Sequence, residues 1–234
     1  MTSGDDAAPS SVRLLWHPTV MFRDRRHAGE LLAGLLAAYQ GRPATLVLGL
    51  PRGGVVVAAA LARERALSLD VFVVRKLGAP SQPELAIGAV AAGGLVVLDD
   101  QAIASMRISR SALEAAIVRE KEEVTRRELA YRGARPQLEL FDQTVLLVDD
   151  GVATGYTMLT AVRAVRLLGP DRIVVAVPVA SAEAVAMLRS VADEVFCALV
   201  PHRLFAVGQF YEDFRQTTDD EVVQALAEGI PHPG

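Results

Sequence analysis

The chain has 234 residues, of which 51% are hydrophobic, and a formal net charge of −4 at pH 7. This length and composition allow one sizeable core and predict a single domain. The mild negative charge excludes a general attraction to nucleic acid or to anionic membranes, and the longest apolar runs are too short to span a bilayer.

The chain begins with MTSGDDAAPSS, which is small and acidic. It lacks the basic start and the apolar core of a signal peptide, so we interpret residues 1–16 as a disordered or poorly ordered tail and residues 17–234 as the domain. The single cysteine, Cys197, excludes an internal disulfide framework. Both features favour a reducing, cytoplasmic location.

An arginine-rich stretch, FRDRRHAGE (22–30), precedes the first predicted helix. The arginine side chains of this stretch could contact a phosphate or a partner. We prefer the simpler interpretation, in which Asp24 caps the helix and the arginines face solvent.

Further along, apolar runs typical of buried strands alternate with helical patterns. The predicted strands are ATLVLGL, LDVFVVRK, TVLLVDD, DRIVVAVPV and DEVFCALV. The predicted helices are HAGELLAGLLAAYQ, VVVAAALARERA, YTMLTAVRAVRLLG and SAEAVAMLRSVA. Strands that are apolar throughout and separated by helices indicate a parallel sheet covered on both faces. We therefore expect a doubly wound α/β fold with a mainly parallel sheet.

Two regions interrupt this alternation. Residues 77–143 combine Gly, Pro and short extended pieces with a long charged helix, and residues 200–234 contain an aromatic cluster followed by a short acidic helix. We expect a flexible-loop insertion in the first and a small hood in the second, both at the open end of the sheet, where ligands bind. The mixed charges of the long helix fit solvent or a second subunit better than nucleic acid, and a homodimer is our default expectation.

The stretch VLLVDDGVATGYT (145–157) is the most specific signal in the chain. A predicted strand ends in Asp149 and Asp150, which places both carboxylates at the carboxyl edge of the sheet. The following residues include Ala153, Thr154, Gly155, Tyr156 and Thr157. They supply a glycine, hydroxyls and the N–H groups of a helix start, which suit a phosphate. A ribose 5-phosphate fits both parts; the alternative is a surface turn whose aspartates cap the next helix.

This stretch resembles the phosphoribosyl pyrophosphate (PRPP) binding motif of type I phosphoribosyltransferases, where apolar residues lead into two acids and a Thr-Gly turn. The resemblance implies that Asp149 and Asp150 are catalytic, holding the ribose hydroxyls and Mg2+, partly through water. It also implies that residues 153–157 bind the 5-phosphate. The implied reaction transfers the phosphoribosyl group to a nitrogenous base in nucleotide salvage and releases pyrophosphate.

A second stretch, LGLPRGGVVVA (48–58), resembles the family's pyrophosphate loop, and this gives backbone contacts with pyrophosphate to Arg52, Gly53 and Gly54. Taken alone, this stretch also fits a plain turn. The resemblance extends over about residues 47–215 and is nearest to bacterial phosphoribosyltransferase-like proteins that carry both LPRGG and VDDGVATG.

A third stretch, FVVRKLGAP, places Arg75 and Lys76 at the end of a predicted strand. The family has a basic residue there that contacts pyrophosphate; by resemblance Lys76 is the first candidate, with a catalytic role, and Arg75 the second. Leu77 to Leu85 would then be the mobile lid. The alternative is a charged strand end in solvent.

The C-terminal stretch LFAVGQFYEDFR (204–215) resembles purine-salvage members and implies that Phe205 and Val207 bind the base. The interval from Gly208 to Phe214 is shorter than in those enzymes, and closure of the core by aromatic residues is the alternative. Ala153 stands where hypoxanthine-guanine members have an aspartate and matches the adenine-type pattern. The acceptor base therefore stays open.

Two other functions remain compatible with the sequence. A protein of this fold could sense PRPP or a nucleotide without turnover, although the chain lacks the basic surface or added DNA-binding module usual in such regulators. A pseudo-enzyme with a PRPP site and an unusable base site is the other. We expect PRPP and a small base as ligands, and neither nucleic acid nor membrane as partner.

Overall fold

The computed structural model describes residues 12–14, 21–80, 82–133 and 135–231. Its strands are β1 (Val12–Leu14), β2 (Thr45–Gly49), β3 (Ser68–Val71), β4 (Val74–Ala79), β5 (Gln82–Ala91), β6 (Leu95–Leu98), β7 (Thr144–Val148), β8 (Arg172–Val179), β9 (Glu194–Leu199) and β10 (Ile230–Pro231). Its α-helices are α1 (Arg25–Leu35), α2 (Gly53–Arg65), α3 (Asp100–Ser105), α4 (Arg110–Arg132), α5 (Tyr156–Arg166), α6 (Ala182–Arg189) and α7 (Asp219–Glu228). None of the described helices is long and apolar enough to cross a membrane.

Over the described residues, the main sheet has seven parallel strands in the order β1-β9-β8-β7-β2-β3-β10. Its central strands are buried on both faces, so helices must cover both faces. Leu32 of α1, Val57 of α2 and Val222 of α7 share one apolar core. Met158 of α5 and Val185 of α6 belong to the core on the other face. The predicted doubly wound α/β fold is confirmed.

The insertion contains a second sheet, in which β4, β5 and β6 pair antiparallel. The predicted single strand LDVFVVRK is wrong, because β3 ends at Val71 and β4 begins at Val74. The backbone N–H of Phe72 still donates to Gly49 of the main sheet, whereas the carbonyl of Val73 accepts from Ala92 of the insertion. Apolarity alone did not predict this change of partner, because both residues are fully buried.

The hairpin of β4 and β5 packs on the long helix α4. Leu77, Ala79 and Ile87 form a small separate core with Ala116 of α4. The segment predicted as a lid, Leu77 to Leu85, is therefore mainly hairpin; its Ser81 lies outside the described residues.

The structure describes part of each chain end, and the prediction for the N-terminal end needs correction. Val12–Leu14, placed in the predicted disordered tail, pair in parallel with β9; the other tail residues lie outside the described ones. Without β1, β9 would be the edge of the main sheet and would present unpaired backbone groups, which the extended segment Val12–Leu14 satisfies. Within the predicted C-terminal hood or closure, 200–234, α7 packs in the main core and β10 pairs with β3.

A buried ion pair joins the end of α4 to β3. Arg132 donates to both carboxylate oxygens of Asp70 at 3.1 Å each, and their side chains are only 8% and 2% exposed. The same guanidinium donates to the carbonyl of Pro136 at 2.7 Å. This pair attaches the insertion to the main sheet.

We expect Arg132→Met to lower the free energy of unfolding by up to about 3–5 kcal/mol, because it leaves the buried Asp70 carboxylate with only the more distant Arg135, 3.8 Å away, as a cation. Urea denaturation measures the change. The control is Arg126→Met in the same helix, which breaks a pair with Glu123 at a side chain that is 57% exposed and should leave stability nearly unchanged. Equal losses in the two variants would contradict a special role for the buried pair.

Candidate active site

Two loops meet where the strand order of the main sheet reverses, between β2 and β7. These strands end level, with Gly49 opposite Val148, and the N–H of Leu50 donates to the carbonyl of Val148 at 2.8 Å. The loop after β2 leads into α2, and the loop after β7 begins with Asp149 and Asp150. Ligands of doubly wound folds bind at such a reversal. The structure thus brings the predicted acid pair and the predicted glycine turn together.

The start of α2 approaches the acid pair very closely. A Cβ at Gly54 would lie 2.8 Å from the Cα of Asp149 and from the carbonyl oxygen of Val148. A Cβ at Gly53 would overlap Oδ2 of Asp150. Only glycine fits at these two positions without a shift of the backbone or of the acid.

The two acids lie in an environment that opposes their ionisation together. Burial, followed by the charge of Asp150, raises the pKa of Asp149 well above its ordinary value. Burial also raises the pKa of Asp150, while the hydrogen bond and charge of Arg25 act in the opposite direction. Such a pair favours a cation or hydroxyl donors as ligands, because either relieves the repulsion between the carboxylates.

Helices α2 and α5 begin differently from the other described α-helices. Five helices are capped by side chains, namely those of Asp24, Asp99, Ser109, Ser181 and Thr218. α2 and α5 follow Arg52 and Gly155 and have no side-chain cap. Their first N–H groups lack intrahelical partners and are available to anions. The aspartates do not cap α5, so the alternative of a simple capping turn is wrong.

The loop before α5 is held in place by contacts with the start of α6. Ser181 donates from Oγ to the carbonyl of Ala153 at 2.7 Å. Gly155 has φ +85°, which favours glycine, and a Cβ there would lie 3.3 Å from that of Ala184. Thr154, Tyr156 and Thr157 are exposed. The loop therefore offers hydroxyls and backbone N–H groups to a ligand from a fixed position.

A cleft of about 410 Å³ lies between the two loops and the C-terminal segment. It is lined by Arg25, Pro51, Arg52, Gly53, Asp149, Asp150, Phe214, Gln216 and Thr217. The guanidinium of Arg52 lies 3.8 Å from Asp219 at its rim. Four of the predicted site residues therefore share one cleft.

Arg25 is a residue that the sequence interpretation missed. Asp24 does cap α1, as predicted, with Oδ1 accepting from the N–H of His27 at 2.8 Å. The prediction that the arginines face solvent is wrong for Arg25, whose side chain is 11% exposed and donates from Nε to Asp150 at 2.7 Å. Arg25 and Asp150 are 125 positions apart in the sequence. The residues around Arg25 indicate the start of a helix but not the contact with Asp150.

The two basic residues predicted at a strand end lie within β4 instead. Arg75 donates to Glu120 of α4 at 3.1 Å, so its charge is used inside the insertion. Lys76 is exposed on the same strand. Neither lines the cleft of the acid pair.

The two residues predicted to bind a base have different surroundings. Phe205 is 78% exposed and lines a second cleft of about 410 Å³ together with Ser181, Pro201 and His202. Val207 packs against the acid loop, because a Cβ at Gly151 would overlap its side chain. Phe205 is therefore free to meet a ligand, whereas Val207 supports the loop.

The chain matches the phosphoribosyl transferase domain family over residues 24–213. This range contains both loops of the cleft. The fold and site thus define a phosphoribosyltransferase-like α/β protein. The chain belongs to the phosphoribosyl transferase domain family.

One curated relative and two solved structures are similar to the chain. It is 44% identical over 206 residues to a Mycobacterium tuberculosis H37Rv protein named "Putative phosphoribosyl transferase Rv0571c", covering 88% of this chain but 46% of that protein. The chain thus spans about half the length of this curated relative. TT1426 from Thermus thermophilus is 49% identical, with a TM-score of 0.80 and coverage of 90% of this chain and 99% of that one. AQ2163 from Aquifex aeolicus, at 14% identity and a TM-score of 0.50, shares the fold; the match covers 85% of this chain and 91% of that one.

We expect Gly54→Ala to lower the free energy of unfolding by about 1–3 kcal/mol, because the new Cβ meets backbone atoms that cannot move independently. Gly34→Ala is the control, since a Cβ there meets nothing within 4 Å and should stabilise α1 by about 0.5–1 kcal/mol. Thermal and urea unfolding of both variants measure the difference. A neutral Gly54→Ala would show that the contact between α2 and the acid loop is loose.

Proposed function

We propose that the protein is a phosphoribosyltransferase that transfers the 5-phosphoribosyl group of PRPP to a nitrogenous base in nucleotide salvage. The observation that carries this proposal is the shared cleft of an acid pair and an uncapped helix start, with a second uncapped helix start beyond the acid loop. PRPP combines ribose hydroxyls with two phosphate-bearing ends, so it matches this set of groups. Membership of the phosphoribosyl transferase domain family supports the same assignment.

In this proposal the acid loop and the start of α5 hold the ribose 5-phosphate part. Asp149 and Asp150 accept hydrogen bonds from the ribose hydroxyls. The N–H groups at the start of α5, with the hydroxyls of Thr154 and Thr157, bind the 5-phosphate. Binding at this remote phosphate orients C1 of the ribose for attack.

Pyrophosphate leaves C1 with the electron pair of the broken bond, and a nitrogen of the base forms the new bond and loses a proton. Positive charge develops on the ribose ring during this step, and the buried carboxylates stabilise it. The backbone N–H groups of Gly53 and Gly54 and the side chain of Arg52 bind the leaving pyrophosphate. Lys76 adds a positive charge to the same group when the hairpin closes over the cleft.

The residues present fit Mg2+ that is held mainly by the substrate. Among the described residues, no three His, Cys, Asp or Glu side chains cluster in a way that suits a metal, so Asp149 and Asp150 act without a third protein ligand. Mg2+ prefers phosphate oxygens and waters to a cage of side chains, and these acids would contact it partly through water. When bound, Mg2+ neutralises charge on the pyrophosphate.

We assign the acceptor base to the second cleft, beside Phe205. Its lining residue Ser181 also binds the carbonyl of Ala153, so this cleft adjoins the loop that binds the 5-phosphate. An exposed aromatic ring can stack on a flat base. Ala153 offers no side-chain carboxylate to a ring nitrogen, which favours a base other than a 6-oxopurine.

The proposal is tested by pyrophosphate release from PRPP and Mg2+ with a panel of purine and pyrimidine bases, and by calorimetric PRPP binding. We expect release with at least one base, and loss of release by at least about 100-fold in Asp149→Asn/Asp150→Asn because the positive charge that develops on the ribose loses both carboxylates. The control, Asp171→Asn, alters an exposed aspartate just before β8 and should keep full activity. PRPP binding without pyrophosphate release for any base would support a sensor. Unchanged activity of the double variant would contradict the assignment of Asp149 and Asp150 to the site.

Lys76→Ala should lower turnover more than PRPP affinity, because a leaving-group contact strengthens as pyrophosphate departs. Steady-state kinetics and PRPP titration separate the two effects. Lys121→Ala removes the other lysine of the chain, exposed on α4, and serves as control. Equal losses of turnover and affinity would argue against the leaving-group role.

A further inference from the structure

Arg25 joins three groups that belong to different parts of the chain. Its Nε donates to Oδ2 of Asp150 at 2.7 Å, and its Nη1 donates to the backbone carbonyl of Arg215 at 2.8 Å. Its guanidinium carbon lies 4.0 Å from the centre of the Phe214 ring. A planar guanidinium spaces its N–H donors widely in one plane while its face stacks on a ring, whereas an ammonium group is a compact point charge that does not reproduce this geometry.

The position of Arg25 is fixed by the element that carries it. Asp24 caps α1, so Arg25 is the first helical residue and its backbone position is fixed by the helix. The start of α2 encloses the contact from the other side, since a Cβ at Gly53 would lie 2.5 Å from Nε of Arg25. The carboxylate of Asp150 is therefore held between a helix start and a guanidinium.

The C-terminal segment adds a second constraint on the same acid. Tyr211 donates from its hydroxyl to the backbone carbonyl of Asp150 at 2.6 Å. Its ring lies 4.9 Å from that of Phe214, which in turn lies beneath Arg25. The backbone of Asp150 is thus bound by Tyr211 and its side chain by Arg25.

We propose that Arg25 is a positioning residue for Asp150: it turns the carboxylate toward the ribose site and ties it to the C-terminal segment. This inference rests on the proposed function, because it concerns the acid that would hold the ribose of PRPP. Arg25 acts through Asp150 rather than on the reacting atoms. The neighbouring Arg26 makes no such contact, since it is exposed and pairs with Glu228 on α7 at 3.2 Å.

The test compares Arg25→Gln, Arg25→Lys and Arg26→Gln with the unaltered protein. Arg25→Gln should lower kcat and weaken PRPP binding by about 10- to 100-fold, the usual loss when the partner of a ligand-binding group is removed. Arg25→Lys should recover part of both losses, because it keeps a cation beside Asp150 but cannot serve all three groups. Arg26→Gln should match the unaltered protein. PRPP binding is measured by calorimetry with and without Mg2+, and folding by thermal unfolding.

The variant Phe214→Leu distinguishes the contact of Arg25 with Asp150 from its contact with the Phe214 ring. It removes the ring beneath Arg25 and leaves the pair with Asp150 possible, so its losses should be smaller than those of Arg25→Gln. An equal or larger loss would overturn the inference, since Arg25 would then serve the C-terminal segment alone. Near-normal kinetics of Arg25→Gln, or no recovery in Arg25→Lys, would overturn it as well.

The two proposals fail in different ways. If the unaltered protein neither binds nor consumes PRPP, the proposed function is wrong and the inference falls with it. If the unaltered protein uses PRPP and Arg25→Gln is as active, only the inference is wrong.

Discussion

The site depends on the pairing of β2 with β7 at the centre of the main sheet. Because Gly49 lies opposite Val148, the two loops leave the sheet at the same level. The start of α2 then has to pass directly over the acid pair, and the glycines at 53 and 54 are what allows this approach. A shift of this register would separate the acids from the helix start, and the cleft between them would be lost.

The same close approach imposes an electrostatic cost that the rest of the site reduces. Adjacent carboxylates are held partly buried, and their pKa values are raised by that burial. Arg25 and the uncapped starts of α2 and α5 supply positive charge or partial charge nearby. Helix starts without caps and buried acids each oppose stability, and such departures are expected where a protein binds its ligand.

The sequence predicted those features that depend on local pattern. The central strands are apolar throughout and the acid pair follows one of them directly, so period and order sufficed to place Asp149 and Asp150. Prediction from the sequence failed where the contacts of a residue depend on a partner that is distant in the chain. Phe72 and Val73 are as apolar as a strand, yet their hydrogen bonds go to two different sheets. In the sequence, Arg25 does not differ from any other arginine at a helix start, and its role follows only from the contact with Asp150, 125 residues later.

The two ends of the domain are joined at the site, and this links the hood to the acids. The N–H of Phe22 donates to Phe210, and the N–H of Glu212 donates back to Phe22, so the segment before α1 pairs with the segment before α7. Tyr211 in that pairing binds the backbone of Asp150. The β4–β5 hairpin, in contrast, has a small core of its own with α3 and α4. Val90 and Ala91 of the same hairpin belong instead to the two main cores, so one end of the hairpin is packed into the domain and only its other end, with Leu77, Ala79 and Ile87, is packed apart from the main cores.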